Sequence, residues 1–275
     1  MKIKNKLPPI FIINLDIDKK KKNHILSFCK KLNLNCKIVN AINGYSLDEN
    51  EIKEKYSEEK AIADFRKPLT LGELGCSLSH LSIYKKMIDE EIEVAIILED
   101  DIDLTKDFKK VVSSIDNLPQ NWELVLLGYH SHLGTEKESL FSYRYRKKLI
   151  ENYESVRLVD NFFGAYGYLI NIKGAKKLFN QEITKPIDHF VEREKYINIY
   201  AIRPRIVRVN YSMLLESRIE LDRKNRNKIF KQKQQLDKSK KKFIFNKIFV
   251  KTRLFNVYSK ISIFYLRMKK LKTYK

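Results

Sequence analysis

Apolar residues come in short unbroken blocks along most of the chain, and the polar stretches between several of them carry apolar positions at helical spacing. The block Ile10-Phe-Ile-Ile13 is β-branched and aromatic, which predicts a buried parallel strand. Lys19 to Leu34 follows as a helix with Ile25, Phe28 and Leu32 in register, and Cys36 to Val39 is a second strand. Strand, helix, strand is the opening of a doubly wound α/β sheet, where ligands sit at the carboxyl ends of strands. Asn14 to Asp18 is such an end. Thr70 to Ile88 reads as a glycine-marked turn, with Gly72 and Gly75, entering a helix with Leu78, Leu81, Tyr84 and Met87 on a partial stripe. Val94 to Leu98 is an uninterrupted apolar strand that runs straight into Glu99-Asp-Asp-Ile-Asp103. Further strands are predicted at Glu123 to Leu127, ending at Gly128, and at Phe163 to Ile170, with a helix from Lys173 to Phe179. No internal repeat interrupts this order.

With 275 residues, 43% hydrophobic and 11% aromatic, the chain can bury a sizeable core, and its length suits one α/β domain with an appendage. The net charge of +21 invites a nucleic-acid reading, but the charge is not spread evenly. Residues 223–275 hold 19 Lys or Arg against one acid, Asp237, whereas residues 1–222 hold 36 basic and 33 acidic residues. The expected boundary therefore falls at residue 222, between a nearly neutral domain and a basic tail, and no specific nucleic-acid partner is expected. In the tail, Val257, Tyr258, Ile261, Phe264, Tyr265, Met268 and Leu271 recur at helical steps, the pattern of a partly helical, basic amphipathic segment that lies on an anionic membrane surface. Packing of that stripe onto the domain or onto a second subunit is the plainer use. Cys29, Cys36 and Cys76 lack the paired spacing of a zinc site, so three free thiols in a reducing cytoplasm are expected. The apolar run near the N-terminus is too short for a signal peptide or a span, so the expected location is cytoplasmic, peripheral at the inner membrane face.

Four acids in five residues after an uncharged strand repel one another and call for a counter-charge. In extended backbone Glu99, Asp101 and Asp103 would project one way and Asp100 the other. Such converging carboxylates suit Mg²⁺ or Mn²⁺ bridging a substrate diphosphate, with Asp101 also serving the reaction and Asp100 facing the donor. A solvated acidic loop, or a cap for a helix starting near Asp103, is the competing use.

Here the residues resemble a known family. Leu69-Thr-Leu-Gly-Glu-Leu-Gly-Cys-Ser-Leu-Ser-His80, Ile97-Leu-Glu-Asp-Asp-Ile102, Gly164-Ala-Tyr-Gly-Tyr168 and Pro186-Ile-Asp188 occur in the order seen in glycosyltransferase family 25, the lipooligosaccharide galactosyltransferases. Phe11-Ile-Ile-Asn-Leu-Asp16 resembles the family's start, although its usual Arg-rich segment is here Lys19 to Lys22. The resemblance covers about residues 10 to 210. It implies a GT-A-like (Rossmann-like) nucleotide-sugar-binding domain, a divalent cation, and inverting transfer of galactose from UDP-galactose to a lipooligosaccharide or related glycan acceptor.

Against that background, Asn14 and Asp16 would approach the uridine or ribose, or simply form a polar turn. Ser77, Ser79 and His80 would hold an anion near the helix start, and for His80 it is the resemblance that outweighs a structural role. Gly164, Tyr166 and Gly167 would bring backbone close to the sugar or diphosphate, or mark a bulge. Asp188 is a carboxylate apart from the cluster, suited to take the acceptor hydroxyl's proton, with helix capping as its other use. Tyr129, His130 and His132 follow a strand and would contact acceptor. Two other function classes stand beside the transferase: a nucleic-acid-binding protein, which leaves the acidic cluster unexplained, and a metal-dependent nuclease or phosphotransferase.

Overall fold

The computed structural model describes residues 7–131, 140–159, 162–214 and 217–229. The chain divides into two compact units, Met1–Asp222 and Arg223–Lys275, and every element below belongs to the first. The strands are β1 (Ile10–Asn14), β2 (Cys36–Asn40), β3 (Val94–Glu99), β4 (Ile102–Leu104), β5 (Leu124–Leu126), β6 (His130–Ser131), β7 (Phe141–Ile150), β8 (Tyr153–Leu158), β9 (Phe162–Phe163), β10 (Gly167–Asn171), β11 (Ile199–Arg203) and β12 (Val207–Val209). The helices are α1 (Lys19–Lys31), α2 (Glu49–Lys55), α3 (Glu58–Phe65), α4 (Leu71–Asp89), α5 (Phe108–Val112), α6 (Ile172–Phe179) and α7 (Tyr211–Leu214). Tail residues 230–275, with the apolar stripe expected there, and His132 lie outside the described residues.

Eight strands form one sheet in the order β2-β1-β3-β10-β5-β11-β8-β7. β2, β1 and β3 run parallel, the Rossmann-like half that the pattern predicts. The doubly wound expectation is modified next to it: β10 enters between β3 and β5 antiparallel to both, and the β7–β8 hairpin closes the far edge. The sheet is therefore a mixed α/β sheet. Its core divides by the two-residue period of the strands. Ile10, Ile12, Ile96 and Leu98 pack with Ile25 and Cys29 of α1 and Phe108, Val111 and Val112 of α5. Phe11, Ile13, Ala95 and Ile97 pack on the other face with Ile83, Tyr84 and Met87 of α4 and Ala175 and Leu178 of α6. With both faces covered, β1 and β3 carry no polar residue until their last positions, Asn14 and Glu99.

Several expectations change in detail. The helix α4 starts at Leu71 on a capping box, in which Thr70 accepts from the Glu73 N–H and the Glu73 carboxylate accepts from the Thr70 N–H at 2.9 Å. Asp103 opens no helix; it lies in β4, which pairs with β12. Phe163 to Ile170 is not one strand, because the chain breaks between β9 and β10. Cys29 and Cys36 form a disulfide with Cα atoms 6.5 Å apart, not two free thiols. The reason is local: the short turn after α1 lays β2 back along the helix's last residues. Cys76 is the cysteine left outside the disulfide, and the case for a reducing compartment loses its cysteine support.

Gly44, in the 3-10 turn Gly44–Ser46, is one position where close approach dictates glycine: a Cβ there would lie 1.8 Å from the Leu71 carbonyl oxygen. Gly44→Ala must push the first turn of α4 away and is expected to cost about 1–3 kcal/mol. Urea unfolding of the variant and the wild type measures it as a lower midpoint with an unchanged slope.

Candidate functional site

The topology gathers the candidate residues at one end of the sheet. Because β10 is antiparallel, its first residue, Gly167, stands opposite Leu98 near the carboxyl end of β3, and Tyr168 stands opposite Leu126 at the end of β5. Asn14, the Glu99–Asp101 segment, the Gly128–His130 segment and the Gly164–Tyr166 segment thus share that end. A backbone hydrogen bond from the Glu99 N–H to the Tyr166 carbonyl, 2.9 Å, ties two of them together.

The acidic cluster does not keep the extended alternation expected of it. Along β3 the even positions face α1 and the odd positions face α4, and Glu99 follows, its Oε1 lying 3.6 Å from His80 Nε2 and 4.0 Å from Cys76 Sγ. Asp100 faces α1 in turn, accepting from Asn14 Nδ2 at 2.7 Å. The chain then bends, and Asp101 joins the α1 side, where Lys21 Nζ lies 3.1 Å from Asp101 Oδ2 and 3.8 Å from Asp100 Oδ1. Asp103 meets His24 Nε2 at 2.8 Å and Asn210 Nδ2 at 3.2 Å. Glu99, Asp101 and Asp103, expected as one ligand set, therefore address three different partners. The pair that converges is Asp100 and Asp101.

Electrostatics follow from that geometry. Burial pushes the Asp100 carboxyl up to about 7, although Lys21 and the Asn14 hydrogen bond pull the other way and Asp101 and Glu99 add to the rise. Burial alone would pull the Lys21 ammonium down, but Asp101 and Asp100 outweigh it and its pKa is raised. One cation is thus shared by two nearly buried carboxylates. Their donors are all oxygen, which fits Mg²⁺ or Mn²⁺. Asn14 adds a buried Oδ1 that accepts no hydrogen bond among the described residues, a polar atom open to a ligand donor. Asp16 is exposed beyond the strand end.

Ser77 and Ser79 do not form an anion cradle. They lie inside α4, and their hydroxyls donate to the Glu73 carbonyl at 2.8 Å and the Gly75 carbonyl at 2.7 Å, with Ser79 also accepting from the Ile42 N–H. His80 is fully buried, its Nδ1 2.7 Å from the Tyr168 hydroxyl. Gly164 and Gly167 have packing reasons: a Cβ on Gly164, at φ +124°, would strike the Tyr166 ring, and one on Gly167 would strike Val207. The Tyr166 ring in turn lies 5.0 Å from that of His130.

Asp188 sits in a turn whose position is fixed from several directions. Its carbonyl accepts from the Gly164 N–H at 3.1 Å, and the Arg193 guanidinium donates to the carbonyls of Pro186, Ile187 and His189 at 3.1–3.3 Å. His189 packs edge-on against Phe65 and Phe163. The carboxylate is close enough to raise the pKa of His130, which burial and Arg205 together hold below its usual value. Arg205 Nη1 donates to the Tyr129 carbonyl at 2.9 Å.

The profile of glycosyltransferase family 25 (LPS biosynthesis protein) matches residues 7–191. The chain belongs to glycosyltransferase family 25. Human procollagen galactosyltransferase 2 is 31% identical over 196 residues, and a glycosyltransferase 25 family member of Aedes aegypti is 29% identical over 196. These alignments cover 66% and 69% of this chain but 29% and 30% of the relatives, so the chain spans less than a third of their length. Among solved structures, a glycosyltransferase involved in the glycosylation of the major capsid of PBCV-1 matches 70% of this chain and 82% of that chain, at 12% identity and a TM-score of 0.32.

Within the family-matched region, sequence reasoning passed over His24 and Cys76 as site residues and did not single out Lys21 from its neighbours in Lys19 to Lys22. The four-lysine run could attract phosphates but reads more plainly as a solvated helix face, and the i, i+3 spacing of Lys21 and His24 was the available sign that these two side chains share one side of α1.

The raised Asp100 pKa has a signed consequence for stability. Folding favours the protonated acid, so this contribution is full below the unfolded value near 3.9 and is lost as pH rises through about 7. Asp100→Asn removes that dependence. The melting temperature of the variant relative to wild type should climb between pH 4 and pH 8; a constant difference across that range would contradict the burial argument.

Proposed function

We propose that this chain transfers a hexose, galactose from UDP-galactose, with inversion onto a hydroxyl of a lipooligosaccharide or related surface glycan. Membership of the family supports glycosyl transfer, and relatives named galactosyltransferases support the sugar. The carrying observation is the Asp100–Asp101 pair at the carboxyl end of β3, with the Asp188 turn joined to the same end through Gly164.

Asp100 and Asp101 would hold Mg²⁺ or Mn²⁺, which when bound supplies positive charge opposite the departing nucleoside diphosphate. Asn14 offers its open Oδ1 to the nucleoside part of the donor. Lys21 balances the two carboxylates in the protein alone and adds a further cation beside the diphosphate. Asp188 accepts the proton of the acceptor hydroxyl as that oxygen attacks the anomeric carbon from the face opposite the leaving group. Arg193 keeps its turn in place through three carbonyl contacts. His130, held neutral by burial and Arg205 and backed by the buried Tyr166 ring, would contact the acceptor sugar.

A panel of UDP-, GDP- and CMP-sugars with Mn²⁺ or Mg²⁺, run beside a DNA substrate, tests the donor assignment: turnover of UDP-galactose alone supports it, and hydrolysis of DNA instead would replace it with a nuclease. Asp188→Asn should lower kcat by about 10²–10⁴-fold with UDP affinity near wild type, the loss associated with removing a general base. Asp101→Asn should lose both transfer and the rise in melting temperature that Mn²⁺ and UDP give the wild type.

We also propose that residues 223–275 hold the enzyme on an anionic membrane surface beside a lipid-linked acceptor, each cation near the lipid contributing about 1 kcal/mol. The support is compositional: 19 Lys or Arg against one acid. Truncation after Asp222 should preserve turnover of a soluble acceptor and abolish salt-sensitive co-sedimentation with anionic vesicles.

A further inference from the structure

The bend after β3 leaves Glu99 apart from its acidic neighbours, in surroundings of a different chemistry. Cys76 and His80 stand four residues apart on α4, so they share one face of the helix. That face meets the last side chain of β3. His80 Nε2 lies 3.6 Å and Cys76 Sγ 4.0 Å from Glu99 Oε1, and the three atoms are all within 4.8 Å of one another. Among the described residues this is the group of three ligand-bearing side chains so disposed. We propose that Cys76, His80 and Glu99 bind one Zn²⁺ ion, at a site distinct from the Asp100–Asp101 pair.

The histidine carries the argument. His80 is fully buried, and its Nε2 has no hydrogen-bond partner among the described residues. A buried polar nitrogen in that condition is costly, and a metal is one of the few things that satisfies it without a proton. Its other nitrogen, Nδ1, is 2.7 Å from the Tyr168 hydroxyl, which is itself 2.6 Å from the Tyr84 hydroxyl. If Nδ1 carries the proton and donates it to Tyr168, Nε2 is left as a lone pair aimed at Glu99. This is the arrangement in which an outer partner fixes the tautomer of a ligating imidazole.

The donor set selects the ion. One thiolate, one imidazole and one carboxylate suit Zn²⁺, whereas Mg²⁺ and Mn²⁺ prefer oxygen alone. Zinc bonds of about 2.0–2.3 Å ask the three donors, now within 4.8 Å of one another, to draw in towards a common centre. Glu99 retains 28% side-chain exposure, so the ion has a route in, and three protein ligands leave a fourth position for water. Binding releases the Cys76 proton to solvent and joins α4 to the end of β3. Asp100 and Asp101 follow directly from that strand end, so the ion would steady the backbone from which the other carboxylates hang. The competing use is an ordinary ion pair between His80 and Glu99, which makes the opposite forecast for zinc.

Full-length protein dialysed against chelator, then titrated with Zn²⁺ or Co²⁺ against a chromophoric competitor, tests this without any transfer assay. The expected result is one ion per chain and a Co²⁺ form with thiolate-to-cobalt charge transfer and tetrahedral d–d absorption. Cys76→Ser, at a half-buried position, should remove the charge-transfer band and weaken Zn²⁺ binding at least about 100-fold, while Tyr168→Phe should weaken it about 10–100-fold through the lost outer hydrogen bond. The double variant Cys29→Ser, Cys36→Ser should keep the band. No stoichiometric binding, an unchanged affinity in Cys76→Ser, or a band that follows Cys29 and Cys36 overturns the site. Because nothing here reads transfer, failure of the zinc site and failure of the galactosyl-transfer reading are told apart.

Discussion

Coverage of the central sheet on both faces is the constraint from which the rest follows. Ile10, Ile12, Ile96 and Leu98 are buried beneath α1 and α5, and Phe11, Ile13, Ala95 and Ile97 beneath α4 and α6. A charge placed within these strands would have neither water nor a partner, at a cost of several kcal/mol. Polar chemistry is therefore expelled to the strand ends. Asn14, Glu99, Asp100 and Asp101 all appear within one or two residues of the point where cover stops. The same rule makes the antiparallel insertion of β10 productive, since it brings the start of one strand beside the ends of its neighbours and adds the Gly164–Tyr166 segment to the site.

The blocks of apolar residues made the central strands and major helices legible because burial on both faces leaves an unbroken signature. Elements lacking that signature were missed. β7 reads Phe-Ser-Tyr-Arg-Tyr-Arg-Lys-Lys-Leu-Ile and is exposed along most of its length, so this edge strand carries no apolar block to announce it. Ser77 and Ser79 were misplaced for a different reason. Gly72 and Gly75 suggested a turn, whereas the decisive local signal was Thr70-Leu-Gly-Glu73, the spacing of a capping box, which starts the helix earlier and carries both serines into its interior. The two glycines of the Gly164–Gly167 segment were legible as special positions but not as packing sites, since their neighbours Tyr166 and Val207 meet them only in the folded chain.

The acidic cluster shows where periodic reasoning stops working. Alternation predicts Glu99 and Asp100 on opposite faces and does so correctly, because Glu99 is the last residue of β3 and Asp100 follows it directly. It fails at Asp101, where the backbone bends before β4 pairs with β12. That pairing links residues 103 and 208, so the position of Asp101 depends on a strand more than a hundred residues away. No local window contains that information. The lysine run illustrates the same limit from the other side: Lys19 to Lys22 are chemically equivalent in sequence, and only the docking of α1 along β1 selects Lys21 to face Asp100 and Asp101.

The bend also explains how three consecutive acids can coexist. Were they all on one side, a single ammonium would face three carboxylates, and mutual repulsion would favour protonation or unfolding of the segment. Separation assigns Asp100 and Asp101 to Lys21 and sets Glu99 beside Cys76 and His80, with the strand's own backbone between the two groups. Even so the balance on the α1 side is incomplete, as the raised Asp100 pKa records. A divalent cation arriving with a diphosphate would change that balance in the direction the carboxylates favour, drawing the Asp100 proton off and strengthening its own site as it binds. The shortage of positive charge that makes this end of the sheet costly in the protein alone is thus the same feature that would favour a divalent cation there over a bare diphosphate.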